Sequence, residues 1–406
     1  MEKTTTWELG GRKSCPKLLG KIEAEVVVIG GGLTGLLSAY ELSRQGKNVV
    51  LVEKDEIGSG ATKFTTAFLT GIIDTDYSAV IKTLGLEKSK LIAQSHREAI
   101  DYIESIIERE KIEYEFKRCS NYIFSREAKE IEHLKSEAEI LRSVGFDAIL
   151  NTKNDLGFDS LAYIEVKNEA RFHPMKILRE LGEIITKNGG KIFEHTEALK
   201  VEKGKVVTTG GEISAPWIIS ATYGPFMKPL GLHIKKAYYT SYVLELKMPK
   251  LGLKEGIYQD TENPYHYFRV EKSDKVSVIL GGGDHRSDIH MDESKKYHGL
   301  ETYARELFKG MDFEIVRKWK GPIIESIDGL PYIGRYKDML YATAFSGNGM
   351  TYAAISGMIF SDIIAGQKNE WQHIYNPGRL PHIRLLMIKG RDYIEELWNG
   401  VVKRNK

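Results

Sequence analysis

The sequence predicts an α/β protein in which a parallel, helix-flanked sheet is interleaved with a second domain built on an antiparallel sheet. Three observations predict it: a strand–glycine turn–helix–strand unit at 25–53, a strand-rich stretch at 237–281, and a second glycine turn before the last apolar helix, at 351–365. A chain of 406 residues is long enough for two or three domains whose cores need no disulfide or metal.

The first unit has the order and size of a βαβ motif. Residues 25–29 and 48–52 are short apolar runs typical of buried parallel strands, and residues 36–45 have helical periodicity. A glycine pattern carries weight only in such a setting, between a strand and a helix. The unit therefore predicts a Rossmann-like domain that binds a dinucleotide.

The turn of this unit reads Gly30-x-Gly32-x-x-Gly35. The first glycine permits a tight turn, the second lets a pyrophosphate approach the backbone, and the third lets the helix pack closely on the strand. Leu33 and Thr34 lie at the helix start, where free N–H groups and the helix dipole favour phosphate. We expect all five residues to contact the cofactor.

Glu53 ends the second strand, 18 residues after Gly35, where it can accept hydrogen bonds from a ribose diol and would repel a 2′-phosphate. Lys54, the next residue in the chain, is also predicted to contact the cofactor. The chain does not continue into further βα units, as an NAD dehydrogenase usually would, but into a run of small and hydroxyl residues at 58–69. That run suits a second phosphate and a flavin ring, and its predicted contacts are Ser59, Gly60, Ala61, Thr62, Thr65, Thr66 and Ala67.

Two later segments complete the predicted cofactor site. A buried strand at 217–220 ends at Ala221 and Thr222, where the chain can pass under a cofactor. The segment Asp328–Arg335 precedes another buried strand, and N–H groups at the start of the last helix could stabilise negative charge on a reduced flavin. The predicted contacts from these two regions are Ala221, Thr222, Gly334, Gly347, Asn348, Gly349, Met350 and Thr351, and Val201, upstream of both, is also in the predicted set.

Together these motifs resemble the D-amino-acid-oxidase superfamily of FAD-dependent oxidoreductases, which includes glycine oxidase and sarcosine oxidase. The resemblance spans residues 7 to 380 and is nearest to the FAD module of a bacterial branch that often carries a C-terminal Rieske iron–sulfur domain. It implies hydride transfer from the carbon beside a neutral amine to flavin N5, followed by imine hydrolysis.

The resemblance also implies a division of the chain into interleaved domains. An FAD-binding domain is expected from 1–84, 151–225 and 322–380, and a substrate domain from 85–150 and 226–321, with a separate amphipathic helix at 381–406. Within these stretches the pattern predicts helices at 86–112 and 127–144 and an irregular segment at 151–170.

Several departures from the family pattern restrict the function. A Rieske centre needs two Cys and two His, whereas Cys15 and Cys119 both lie far upstream, so no such centre and no other metal site is expected. The stretches at 322–325 and 345–347 have no arginine, the usual clamp for a carboxylate, so a simple α-amino acid substrate is in doubt. No cysteine or histidine occurs at 58–71, and we expect non-covalent FAD.

Candidate catalytic residues follow from strand alternation at 265–269. Tyr265, Tyr267 and Arg269 share one face, where the tyrosines could orient an amine or carboxylate and Arg269 could pair with an anion. Alternatively, they pack within the sheet. His285, next to Asp284, is either an acid–base or orienting group or part of a turn.

Composition and charge restrict the possible binding partners and the cellular location of the protein. The chain has 58 basic and 56 acidic residues, which gives no basic surface for nucleic acid, and we see no apolar run long enough for a membrane span. Two cysteines and no evident secretion signal favour the reducing cytoplasm.

The sequence therefore predicts an FAD-dependent amine or secondary-amino-acid oxidase or dehydrogenase, with O2 or a protein or quinone carrier as electron acceptor. The alternative is a flavin-binding electron-transfer subunit of a heteromeric dehydrogenase. The apolar face of the helix at 381–406 would dock on its own chain, on an oligomer partner or another subunit, or, as a third alternative, on a membrane surface.

Overall fold

A computed structural model describes residues 5–11, 14–112, 116–224, 236–249, 252–326 and 328–380. These residues form three sheets and eight α-helices. The predicted amphipathic helix at 381–406 lies outside the described residues. Among the described helices, none combines the length and apolar character that crossing a bilayer requires.

The first sheet contains both strands of the predicted βαβ unit. In spatial order its strands are β18 (Tyr332–Tyr336), β19 (Met339–Thr343), β12 (Trp217–Ser220), β2 (Val26–Ile29), β3 (Val49–Val52) and β8 (Lys191–Phe193). All neighbours are parallel except β18, which is antiparallel to β19. Helix α1 (Leu33–Arg44) packs against α5 (Pro174–Lys187) and α7 (Gly349–Ala365). The parallel strands are buried on both faces, which explains their unbroken apolar runs.

The second sheet is large and almost wholly antiparallel; only β14 and β5 run parallel. In order its strands are β17 (Glu314–Ser326), β13 (Lys236–Met248), β16 (Val276–Arg286), β15 (His266–Lys272), β14 (Gly256–Asp260), β5 (Lys117–Ser125), β7 (Ala162–Arg171) and β4 (Phe68–Leu69), with β6 (Ala148–Asn151) paired to β7. Helix α6 (Glu293–Leu307) covers one face, over an aromatic core in which Phe268 stacks on Tyr258 at 4.5 Å. The opposite face remains available for a site.

A third, four-stranded sheet consists of β1 (Gly20–Glu23), β11 (Gly211–Ser214), β10 (Lys205–Thr208) and β9 (Ala198–Glu202). The remaining helices are α2 (Tyr77–Leu84), α3 (Leu86–Arg109), α4 (Ile131–Ser143) and α8 (Gln372–Tyr375). The predicted helices at 86–112 and 127–144 correspond to α3 and α4.

The structure corrects one predicted element, the irregular segment at 151–170, and shows how the predicted domain stretches are distributed over the sheets. The stretch 151–170, expected to be irregular, contains most of β7, a strand interrupted by charged residues. One of these, Glu169, is buried and accepts a hydrogen bond from the N–H of Gly71 at 2.7 Å. Because β7 belongs to the antiparallel sheet, the stretch 151–225 contributes to both large sheets. Strand β17 also crosses the expected boundary at 321/322.

The glycines of the first turn are required because other backbone atoms approach them closely. Gly30 has a φ of +113°, and a Cβ there would lie 2.5 Å from the carbonyl oxygen of Ala221. A Cβ on Gly35 would lie 1.9 Å from the carbonyl oxygen of Gly30. The ends of β2 and β12 and the first turn of α1 therefore meet at a point with no room for a side chain.

We expect Gly35→Ala to destabilise the protein by about 1–3 kcal/mol, because either α1 or the turn must move to accept the methyl group. Gly299→Ala is the matched control, since Gly299 lies in α6 with open space around the added Cβ. That change should be neutral or stabilising by up to about 1 kcal/mol. Thermal unfolding of both variants measures the difference, and equal stability of the two would contradict the steric account.

Candidate active site

A cavity of about 1060 Å³ extends between the parallel sheet and the open face of the antiparallel sheet. Gly30, Glu53 and Ala221 line it, and they directly follow β2, β3 and β12. The cavity thus begins at the carboxyl ends of the parallel strands, where open α/β sheets bind their ligands. Its volume is at the upper limit for small-molecule sites, which suits an extended dinucleotide together with a small substrate.

Most of the predicted cofactor residues line this cavity. They are Gly30, Gly32, Leu33, Thr34, Glu53, Lys54, Ser59, Gly60, Ala61, Thr62, Thr65, Thr66, Ala221, Thr222, Gly347, Asn348, Gly349 and Met350. They come from four separate segments of the chain. The fold therefore brings together the two glycine turns, which are more than 300 residues apart in sequence.

Five predicted cofactor residues lie outside the lining. Gly35 and Ala67 are buried behind it, Gly35 against Gly30 and Ala67 with a φ of +59°. Gly334 lies in β18, where an added Cβ would approach Pro377. Thr351 is buried one turn into α7, 2.9 Å from Nδ1 of His96. Val201 belongs to β9 and pairs with Val206.

The wall predicted at Val201 is formed instead by Thr196, Glu197 and Ala198, just before and at the start of β9. Thr196 donates a backbone hydrogen bond to the carbonyl of Glu53 at 2.8 Å, which ties this segment to the end of β3. Val201, the predicted contact, therefore lies three or more residues beyond the part of this segment that lines the cavity.

The start of α1 has the features of an anion-binding site. Neither a capping side chain nor an acidic residue occupies its first turn. The N–H of Leu33 donates to Oγ1 of Thr62 at 3.1 Å, so the turn at 61–64 lies directly against the helix start. The Glu53 carboxylate accepts from the N–H of Gly31 at 2.6 Å and from that of Asp55 at 3.0 Å, which holds it at the cavity wall.

The segment at 64–67 is held from outside by two indole N–H groups. Trp7 donates to the carbonyl of Thr65 at 2.7 Å, and Trp319 donates to the carbonyl of Phe64 at 3.0 Å. Both indoles are almost fully buried. The donors come from the N-terminal segment and from β17, so two parts of the chain that are far apart in sequence hold this segment.

Arg269 serves the same segment rather than an anion in the cavity. Its fully buried guanidinium donates to the carbonyls of Thr66, Ala67 and Phe172 at 3.0–3.3 Å, pairs with Glu271, and lies 4.9 Å from the centre of the Trp7 ring. It is not part of the cavity lining. The prediction that Arg269 binds a substrate anion is therefore replaced by a positioning role.

Tyr265 and Tyr267 do face the cavity, on the wall formed by the antiparallel sheet. Their rings are stacked with centres 5.9 Å apart, and Phe68 meets Tyr267 edge-on at 5.8 Å. The Tyr265 hydroxyl donates to Oδ2 of Asp284 at 3.0 Å, and the Tyr267 hydroxyl lies 2.8 Å from Oγ of Ser241. Burial raises the pKa of the Asp284 carboxyl to about 6, although its hydrogen bonds act in the opposite direction.

His285 lies outside the lining, although its neighbour Asp284 is part of it. Its ring stacks on Tyr242, with centres 5.7 Å apart, on the side of the sheet that packs against α6. Burial, together with Lys296 and Lys320, lowers its pKa. The alternation of β16 explains the result, because adjacent residues point to opposite faces. Asp284 therefore replaces His285 as the candidate acid–base group.

The start of α7 forms the second anion-binding turn. Asn348 does not cap this helix; its side chain instead accepts from the N–H of Asp74 at 3.2 Å and donates to the carbonyl of Ile72 at 2.9 Å. The Asp74 carboxylate accepts from the N–H of Gly347 at 2.6 Å. Sequence reasoning missed Asp74, since no local pattern links it to a turn 273 residues later.

The donor set fits FAD. Two helix starts with uncapped first turns, α1 and α7, open onto one elongated cavity, and glycines leave the backbone accessible at both. Glu53 lies at the end of the cavity where an adenosine ribose would be recognised. The small and hydroxyl residues at 59–66 line the same cavity, and they are the residues that would hold the phosphates and the ring.

Comparison with known proteins agrees with this fit. The family model described as FAD dependent oxidoreductase (DAO) matches residues 25–363, which is most of the chain. The chain belongs to this family. It is an FAD-dependent oxidoreductase whose matched region includes both glycine turns and the tyrosine wall.

The individual relatives have low sequence identity to this chain. The chain is 30% identical to the putative Rieske 2Fe-2S iron-sulfur protein YhfW of Bacillus subtilis, over 96% of this chain and 79% of that protein. It is 22% identical to glycine oxidase of B. subtilis, over 89% of this chain and 99% of the enzyme. The crystal structure of glycine oxidase from Geobacillus kaustophilus superposes with a TM-score of 0.74 at 18% identity, covering 88% of this chain and 99% of that one. The fold is thus that of glycine oxidase.

Arg269→Met should loosen the segment at 64–67, because it removes one of the two arginine partners of Glu271, leaving Arg171 at 3.1 Å, and removes the donor shared by three carbonyls. Breaking a buried ion pair costs about 3–5 kcal/mol, so the melting temperature and the FAD occupancy of the purified protein should both fall. Arg305→Met, at an exposed pair with Glu301 on α6, is the control and should change neither by much. Normal FAD occupancy in the Arg269 variant would contradict the positioning role.

Proposed function

We propose that the protein oxidises the C–N bond of an amine or secondary amino acid. The observation that supports it is the arrangement of one cavity with an FAD cradle on one wall and Tyr265, Tyr267 and Asp284 on the other. A substrate placed between these walls would meet the cofactor on one side and polar orienting groups on the opposite side.

The side chains of the tyrosine wall suit a basic nitrogen. Oxidation beside nitrogen requires its lone pair, so a bound ammonium must first lose a proton. The Asp284 carboxylate can accept that proton, and its hydrogen bond from Tyr265 fixes its position. Bound FAD would supply the acceptor for the hydride lost from the adjacent carbon, and the resulting imine would hydrolyse in water.

The acidic limb of the pH profile should report on Asp284. Its pKa of about 6 means that the carboxylate is present above pH 6 and is progressively neutralised below it. We therefore expect the rate of flavin reduction by an amine to fall about tenfold per pH unit below 6. In Asp284→Asn the rate should be low and this limb absent. Asp288→Asn, at an exposed pair with Arg286 just beyond β16, should keep the limb; an unchanged limb in Asp284→Asn would contradict the assignment.

Anaerobic reduction of the bound flavin tests the reaction itself. We expect the visible absorption of the oxidised flavin to disappear on mixing with at least one member of a panel of primary amines, secondary amines and amino acids. A panel that leaves the flavin oxidised would contradict amine oxidation.

A flavin-binding electron-transfer subunit remains the second candidate, favoured by the similarity to a putative Rieske protein. The two cysteines of this sequence lie on different elements: the Cys15 N–H donates to Glu194, and Cys119 lies opposite Glu169 in the β5–β7 ladder. In that case the flavin would be reduced only through a partner protein, so an unreactive panel together with a co-purifying iron–sulfur protein would favour this second candidate.

A further inference from the structure

The wall of the cavity beyond the FAD cradle has a marked excess of negative charge. Its described acidic residues are Asp74, Asp76, Glu130, Glu137, Asp260, Glu262, Asp284 and Glu325. The only basic side chain among the described residues of that wall is His133; Lys54 lies at the opposite end, next to Asp55. No described arginine lines the cavity, so a substrate carboxylate would find no bidentate partner there.

The acidic residues nearest the tyrosine wall interact with one another. Asp74 and Glu325 both raise the pKa of Asp284, after the larger effect of burial. Oδ1 of Asp284 is buried and accepts no hydrogen bond from the described part of the chain. Like charges held together in a partly dry cavity are costly unless a cation joins them, and the Tyr265 and Tyr267 rings are also suitable neighbours for a cation.

A second acidic group lies where α2 and α4 reach the cavity. Asp76 precedes α2 and Glu137 lies on α4. Burial and the Asp76 charge raise the pKa of Glu137 to about 7. Asp260 and Glu262 differ from this pair, because His266 holds the first at 3.0 Å and Arg126 holds the second at 2.5 Å. Asp76 and Glu137 are therefore the better candidates for binding an external cation.

We propose that the substrate is a diamine or polyamine, whose reacting nitrogen lies at Asp284 and the tyrosines and whose second, charged nitrogen is held by Asp76 and Glu137. The proposal rests on amine oxidation as the function and specifies its substrate class. Two acidic groups from different elements that line one cavity match the two ammonium groups of such a substrate, whereas a carboxylate substrate would be repelled by both.

Two measurements on the FAD-loaded protein test this. Anaerobic flavin reduction compares 1,5-diaminopentane with n-pentylamine and sarcosine, and we expect half-saturation at a concentration about tenfold lower for the diamine. Calorimetry compares the bis-quaternary ion 1,5-bis(trimethylammonio)pentane with n-pentyltrimethylammonium. Neither quaternary ion has a nitrogen lone pair to oxidise, so their binding reports on the acidic groups without turnover, and we expect the double cation to bind about tenfold more tightly.

Glu137→Gln separates this role from a structural one. It should raise the half-saturating diamine concentration several-fold and leave that of n-pentylamine unchanged, because only the diamine carries a second charge. Asp312→Asn, an exposed carboxylate outside the cavity, is the matched control and should alter neither. Equal effects of Glu137→Gln on both amines would overturn the assignment of Glu137.

The two proposals fail differently. Preferential reduction by sarcosine or another amino acid would overturn the diamine proposal and leave amine oxidation intact. A flavin that no amine reduces would overturn amine oxidation, and equal binding of the two quaternary ions would then overturn the cation site as well.

Discussion

The contact of three backbone segments at Gly30 determines the position of the whole site. The ends of β2 and β12 and the first turn of α1 meet there, with Gly30 and Gly35 so close that neither position has room for a Cβ. This contact aligns the carboxyl ends of the parallel strands and directs the N–H groups of α1 into the cavity. Glu53, at the end of β3, lies at the same edge because β3 pairs in register with β2. Recognition of phosphate and of ribose therefore depends on one steric constraint.

The second requirement is that the antiparallel sheet be fixed relative to this edge, and buried polar contacts achieve it. Arg269 on β15 and Trp319 on β17 both donate hydrogen bonds to backbone carbonyls of the 64–67 segment, which belongs to the cofactor wall. A buried guanidinium is tolerated because Glu271 and three carbonyls satisfy it. Since β15 also carries Tyr267, the same strand that secures the cofactor segment also positions the substrate wall.

Local pattern was sufficient to predict most of the residues that line the cavity near the two glycine turns, but not those of the opposite wall. The strand–turn–helix unit and the glycine turn before α7 have short-range signals, so their residues could be assigned from sequence. Alternation placed Tyr267 and Arg269 on one face of β15, yet it could not show that Arg269 lies beneath another loop rather than beside the cavity. Asp74 has no local signal, because its partner Gly347 is brought to it only by the complete fold. Strand β7 was missed because two of its charged residues, Glu169 and Arg171, are buried by tertiary contacts that leave no local periodic signal.

Family membership and the proposed substrate class consequently depend on different parts of the molecule. The parallel sheet and its two glycine turns have the architecture of glycine oxidase, at an identity so low that the superposition shows the fold alone. The walls that face the substrate come from the antiparallel sheet and from α2 and α4, where side chains can change without disturbing the Gly30 contact. In this chain those walls combine Asp284, Asp74 and Glu137 with stacked tyrosines. A cavity of that charge is the basis of the proposed substrate class, because it would favour a cation over a carboxylate.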